Sequence, residues 1–132
     1  MPADLYHSPI PEQLWERIRN EFHLPSLEQV HERLSAIHED PKPVMQQLSR
    51  VFIGEGTYCP GYQFRPDLTL EPVVVELFER AMELRIPHNY LALWMMVPSL
   101  ALQGRRPVDL RRSGDATALL AGLERTFTAE AA

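Results

Sequence analysis

Apolar residues recur along this chain at helical spacing, in short blocks separated by prolines. Leu14, Trp15, Ile18 and Phe22 fall on one face of a helix over 11–22, and Glu12 and Glu16 suit its electropositive start. Ser26 with Gln29 three positions on is a capping-box start, opening a helix with Leu27, Val30, Leu34 and Ile37 on one side. The stretch Asp40-Pro41-Lys42-Pro43 breaks that pattern, and a third helix is expected from Val44 to about Arg50. Val51–Ile53, a glycine-flanked turn and Tyr62–Phe64 predict a two-stranded β-hairpin with a longer loop. Pro72 sits in the first turn of a helix to Leu84 with Val74, Leu77, Phe78 and Ala81 inward, and Pro87 opens the helix carrying Trp94. The last helix is expected over 115–127, with Leu119, Leu120, Leu123 and Phe127 inward and 128–132 as a short tail. The fold class expected is therefore mainly α: a compact multi-helix domain with a small hairpin near residues 51–64, built around one continuous core.

Residues 94–115 hold the densest run of helix stops. Pro98 lacks an N–H and turns Val97 away from helical geometry, so the Trp94 helix ends there and Pro98 suits the first turn of the next. Gly104 can close that helix in left-handed geometry, Pro107 can open another, and Gly114-Asp115 closes it and caps the last. The result is a helical knuckle. Trp94, Met95 and Met96 are apolar in a row, and three consecutive helical positions cannot all face one core, so at least one is expected to meet another surface, either a neighbouring element or a partner.

Composition narrows the function. The chain has 132 residues, 45% of them hydrophobic and 23% charged, which is one globular domain rather than a disordered segment. A formal net charge of −5 opposes general affinity for nucleic acid or anionic membrane. The single cysteine, Cys59, excludes an intrachain disulfide and fits a reducing, cytoplasmic setting. The first residues lack the basic and apolar regions of a signal peptide, and no apolar run approaches the roughly 20 residues that span a bilayer.

Candidate chemistry is sparse. His31 and His38 are seven apart, whereas metal-binding helices place ligands three or four apart, so both are read as solvated and no metal is expected. His88 at a helix start is read as a structural partner of first-turn amides. Cys59 has no base beside it to lower its pKa. No nucleophile elbow, metalloprotease motif or phosphate loop is present, so the chain is read as a non-enzyme without a cofactor. The basic cluster, Arg105, Arg106, Arg111 and Arg112, could meet phosphate, hold Asp109 and Asp115 within the knuckle, or pair with an acidic partner. Asp109 is the expected partner of Arg105. A helix-turn-helix within 11–50 fits the element count, but Glu28, Glu32, Glu39 and Asp40 on its second helix oppose phosphate.

The knuckle also carries a resemblance. Trp94, Met95, Pro98, Leu102, Gly104, Arg105, Pro107, Asp109, Leu110, Gly114 and Asp115 stand without gaps in the order found in the toxin-binding domain of Xre/MbcA/ParS-type antitoxins. Upstream, Tyr58-Cys59-Pro60-Gly61-Tyr62-Gln63-Phe64, followed by a Pro-Val-Val-Val helix, resembles a segment of the short antitoxin-like members. The resemblance covers 57–127 and divides the chain into residues 1–56, a helical region that matches nothing nameable and is a candidate for a degenerate DNA-binding or dimerisation part, and 57–132, the toxin-binding domain. Two positions depart from the pattern: Ser99 stands where Asn is common, and Arg111 where an apolar residue often follows, which implies an exposed or partner-facing position. The resemblance implies a bacterial type II antitoxin that neutralises a RES-type, NAD-consuming toxin by covering its active site. It implies a homodimer or hetero-oligomer, contacts through Met95, Met96, Arg105, Arg106, Arg111 and Arg112, and Glu130 with the Ala132 carboxylate standing in for dinucleotide phosphates. The other function considered is a DNA-binding regulator that represses its own operon, with toxin binding secondary or lost.

Overall fold

The computed structural model of the chain describes residues 9–113 and 115–131, with side chains as far as Thr128. Proline and polar caps start most of its helices. Helix α1, Glu12–Phe22, follows Pro11 and buries Leu14, Trp15 and Ile18. Helix α2, Leu27–Ser35, carries the expected capping box: the Gln29 N–H donates to Ser26 Oγ at 3.2 Å and the Ser26 N–H to Gln29 Oε1 at 2.9 Å. It stops at Ser35, so Ile37 falls in the following turn and is exposed rather than inward. Helix α3 is a single short turn, Lys42–Gln46, earlier than the expected 44–50, because Pro43 suits its first turn instead of blocking it.

The hairpin is tighter than expected. Strand β1, Val51–Ile53, pairs antiparallel with β2, Gly56–Tyr58, in the register Val51–Tyr58, Phe52–Thr57 and Ile53–Gly56, leaving Gly54-Glu55 as the turn. Of Tyr62–Phe64, expected as the second strand, Tyr62 and Gln63 instead lie within a 3-10 turn, Gly61–Gln63, and Phe64 ends it. The reason lies at Gly61. A Cβ there would stand 1.7 Å from the Phe22 carbonyl oxygen, and the Gly61 N–H donates to His23 O at 2.9 Å. The chain is thus drawn against the end of α1 and cannot run beside β1.

Helix α4, Pro72–Glu83, starts on Pro72 and buries Val74, Leu77 and Ala81. Helix α5, His88–Met96, is the centre of the molecule. Leu91 to Met96 are all buried, and β1, α1, α4 and the turn Pro107–Leu110 pack around it. Trp94, Met95 and Met96 therefore all face packed neighbours. The further surface expected for this apolar triplet is supplied by neighbouring elements and not by a partner, because a central helix buries its whole circumference.

The knuckle follows. Val97 is extended and ends α5 as Pro98 requires, but the next turn begins at Leu100 rather than Pro98. Gln103 and Gly104 both take positive φ, 62° and 81°, and close it. The Ser99 N–H donates to Arg105 O at 3.0 Å and the Gly104 N–H to Ser99 O at 2.8 Å, locking the turn. Pro107–Leu110 forms another 3-10 turn, as expected. Asp115 Oδ1 accepts from the Ala118 N–H at 3.2 Å, the cap of α6, Ala116–Ala131. Gly114 lies outside the described residues. Helix α6 packs on α4 and on the Leu100–Leu102 turn, and Arg80 bridges to Glu124 at 3.3 Å across α4 and α6. It continues past Phe127 to Ala131, so the stretch expected as a tail is helical; nothing in Thr-Ala-Glu-Ala stops it.

The main core joins Leu14, Trp15 and Ile18 to Trp94, Leu119 and Leu123, so it crosses residue 56. A smaller cluster, Val30, Leu34, Leu48 and Cys59, fills the space under α2 and α3. Among the described residues, no helix is long and apolar enough to cross a membrane.

Candidate functional site

Two side-chain amides brace the strand region from either side. Asn89, at the start of α5, accepts from the Phe52 N–H and donates to Phe52 O, both at 2.8 Å. Gln63 does the same at Ser49, accepting at 2.8 Å and donating at 2.9 Å, and donates to Pro60 O at 3.0 Å. Each copies the pairing of another strand, so backbone groups beside β1 find partners without one. Cys59 is buried in the smaller core, and that burial pushes its thiol up to about 11. His88 does not cap its helix. It packs edge-on to Phe52, ring centroids 5.3 Å apart, and beside Phe78, and its buried Nδ1 has no partner among the described residues. Burial and the nearby Arg50 charge push its pKa down.

The basic cluster divides into three environments. Arg105 is exposed, and its Nε donates to Leu102 O at 3.2 Å rather than to Asp109. Arg106 takes that carboxylate. Its Nε and Nη2 donate to Asp109 at 2.9 Å each, and Nη1 and Nη2 donate to Glu21 on α1 at 3.1 and 2.9 Å. These forked bonds hold both carboxyls below their ordinary range and fasten the knuckle to α1. The arginine expected at an interface is thus committed to the fold.

Arg111 and Arg112 converge on Glu71, which the sequence reading did not single out. The Glu71 side chain is 3% exposed. Arg65 Nε donates to it at 3.2 Å, Arg112 Nε donates to its other oxygen, and Arg111 Nε lies 3.9 Å away. Burial raises its pKa, but the hydrogen bonds from Arg112 and Arg65 and the charges of Arg112 and Arg111 outweigh that, leaving it below the usual value. Arg111 is mostly covered rather than partner-facing. Its guanidinium lies 5.0 Å from the Phe22 ring centroid, and Nη1 donates to Val108 O at 2.7 Å. The planar, weakly hydrated guanidinium tolerates this position, otherwise apolar, by stacking on a ring. Arg65, Pro66, Asp67, Glu71, Pro72, Val73, Arg111 and Arg112 line an open cleft of about 710 Å³. The only local hint of it was a glutamate placed just before a helix-starting proline.

Of the remaining residues expected at a site, Trp94, Leu102, Pro107 and Leu110 are buried or half-buried, while Pro98, Gly104 and Asp115 are exposed parts of the turns. Met95 and Met96 are buried and present no surface. The Glu130 side chain and Ala132 lie outside the described residues. Leu100 stands out on the knuckle surface, 86% exposed beside exposed Arg105. Among the described residues, no group of three His, Cys, Asp or Glu side chains is placed to hold a metal. Comparison with known protein families, with curated proteins and with solved structures finds no match to this chain.

Proposed function

We propose that the chain is a protein-binding inhibitor, an antitoxin that neutralises a RES-type NAD-degrading toxin. The observation that carries this reading is the surface of the knuckle. The order of residues 94–115 resembles the antitoxin domain, and those residues build a turn whose bulk is buried while Leu100 projects from it, 86% exposed. A turn locked by the Ser99–Arg105 pairing loses little freedom on docking, so its contacts translate into affinity. Leu100, Arg105 and the exposed side of α6 are the contact surface in this reading, in place of Met95 and Met96. Helix α6 is held to α4 by Arg80 and Glu124, and in this reading its last turn covers the toxin's dinucleotide pocket. Inhibition is steric, takes place in the cytoplasm and requires no cofactor of the inhibitor.

The test is NAD loss catalysed by a purified RES-type toxin, with this chain added and complex formation followed by gel filtration. The full chain is expected to bind and stop NAD loss, and a chain lacking residues 128–132 to bind and leave much of the NAD loss running. No association at micromolar concentration would overturn the reading. Tight, salt-sensitive binding to its own promoter without toxin would favour an operon repressor instead.

A further inference from the structure

The cleft between the start of α4 and the end of the knuckle gathers three arginines around one buried carboxylate. Glu71 engages Arg65 and Arg112 only through their Nε atoms, and among the described residues the Nη atoms of both have no hydrogen-bond partner. Each guanidinium is anchored at one edge and free at the other, about half exposed in both cases. Arg111, pinned by Val108 O and the Phe22 ring, closes the back. Asp67 is committed to its own turn, accepting from the Thr69 N–H at 3.0 Å and the Thr69 hydroxyl at 2.6 Å. Three guanidiniums against the two carboxylates of Asp67 and Glu71 leave one positive charge in excess. Pro66, Pro72 and Val73 supply apolar walls.

We infer that this cleft binds a carboxylate side chain of a partner protein, flanked by apolar residues that rest on Pro66, Pro72 and Val73. The single excess charge matches a carboxylate and is too small for a phosphate dianion. A planar carboxylate also accepts the parallel N–H pairs that the free Nη edges offer, and anchoring through Glu71 lowers the entropy lost on binding. The inference rests on the protein-binding reading above for the source of the carboxylate, and it adds a second contact on another part of the molecule.

The experiment is an NMR titration of the isolated full chain, without toxin, using the peptide acetyl-Leu-Glu-Leu-amide. The controls are the Gln counterpart of that peptide, acetate and inorganic phosphate. The Glu peptide is expected to give saturable shifts at the Arg65 and Arg112 Nε–H and at the amides of 65–73, with a Kd on the order of a few millimolar. The Gln peptide should give none, and acetate should bind about tenfold more weakly for want of apolar contact. Arg112→Lys keeps a charge opposite Glu71 but loses the fork, so it should weaken peptide binding several-fold with its melting temperature retained. The inference falls if the Glu peptide causes no saturable shift, if the Gln peptide or acetate binds equally well, if phosphate binds more tightly, or if Arg112→Lys binds like the parent. Because toxin is absent, a failed NAD assay with a successful titration removes only the toxin as partner, and the reverse removes only the cleft.

Discussion

Replacing Glu71 with Gln keeps its shape and removes its charge, which makes it the sharpest test of how the knuckle is joined to the rest of the molecule. In the folded protein the carboxylate accepts from Arg65 and Arg112 and faces Arg111, and its side chain is 3% exposed. Hydrogen bonds to a charged group contribute about 1.5–3 kcal/mol each. Two such bonds would give an upper figure, reduced because both arginine heads are about half exposed and screened by solvent. The amide also keeps one acceptor oxygen while removing the carboxylate that Arg65, Arg111 and Arg112 share. The expected loss is about 2–3 kcal/mol at pH 7. With a urea slope of roughly 1.5 kcal/mol/M, the midpoint should fall by about 1.3–2 M. The pH dependence has a definite sign. Glu71 has a folded pKa below its unfolded value, so its contribution is full above about pH 4.3 and is lost as pH falls through the lower folded value. The gap between parent and Glu71→Gln should therefore close on the acid side of that window. Urea titrations followed by tryptophan fluorescence at several pH values measure it. A gap under about 0.5 kcal/mol at pH 7, or one that persists undiminished into acid, would refute the argument, because Glu71 would then be solvated or its charge immaterial.

Three further outcomes are expected. Trp94→Ala should cost about 3–5 kcal/mol, since the ring is 1% exposed at the centre of α5; a melting temperature like the parent's would contradict its core position. Gly61→Ala should destabilise by at least about 1–3 kcal/mol, because its Cβ would collide with the Phe22 carbonyl and the loop would have to leave α1; chemical denaturation reads this directly. Leu100→Ala and Arg105→Ala should each leave stability within about 0.5 kcal/mol but, on the proposed function, weaken toxin binding measured by calorimetry, and the converse pattern would place both residues in the fold instead of the proposed contact surface.

The features legible in the sequence are those decided by residues close together along it. Ser26 and Gln29 form their capping box across three positions, Pro72 and Pro87 set helix starts, and Val97-Pro98 ends α5, all through local sterics and local donors. These suffice for a mainly helical chain with a hairpin and for the turns of the knuckle. Tertiary contact decided the rest. Gly61 became a turn rather than part of a strand because the end of α1 lies against it. Met95 and Met96 became core because α5 is enclosed on all sides, which a hydrophobic periodicity cannot reveal when every position is apolar. Arg106, not Arg105, took Asp109, because only its side chain also reaches Glu21, 85 positions earlier. The cleft follows the same rule. Arg65 and Glu71 lie about 40 residues from Arg111 and Arg112, and only packing brings the four together. Sequence distance hides such charge constellations because Coulomb energy depends on separation in space and on burial, both of which the folded core sets.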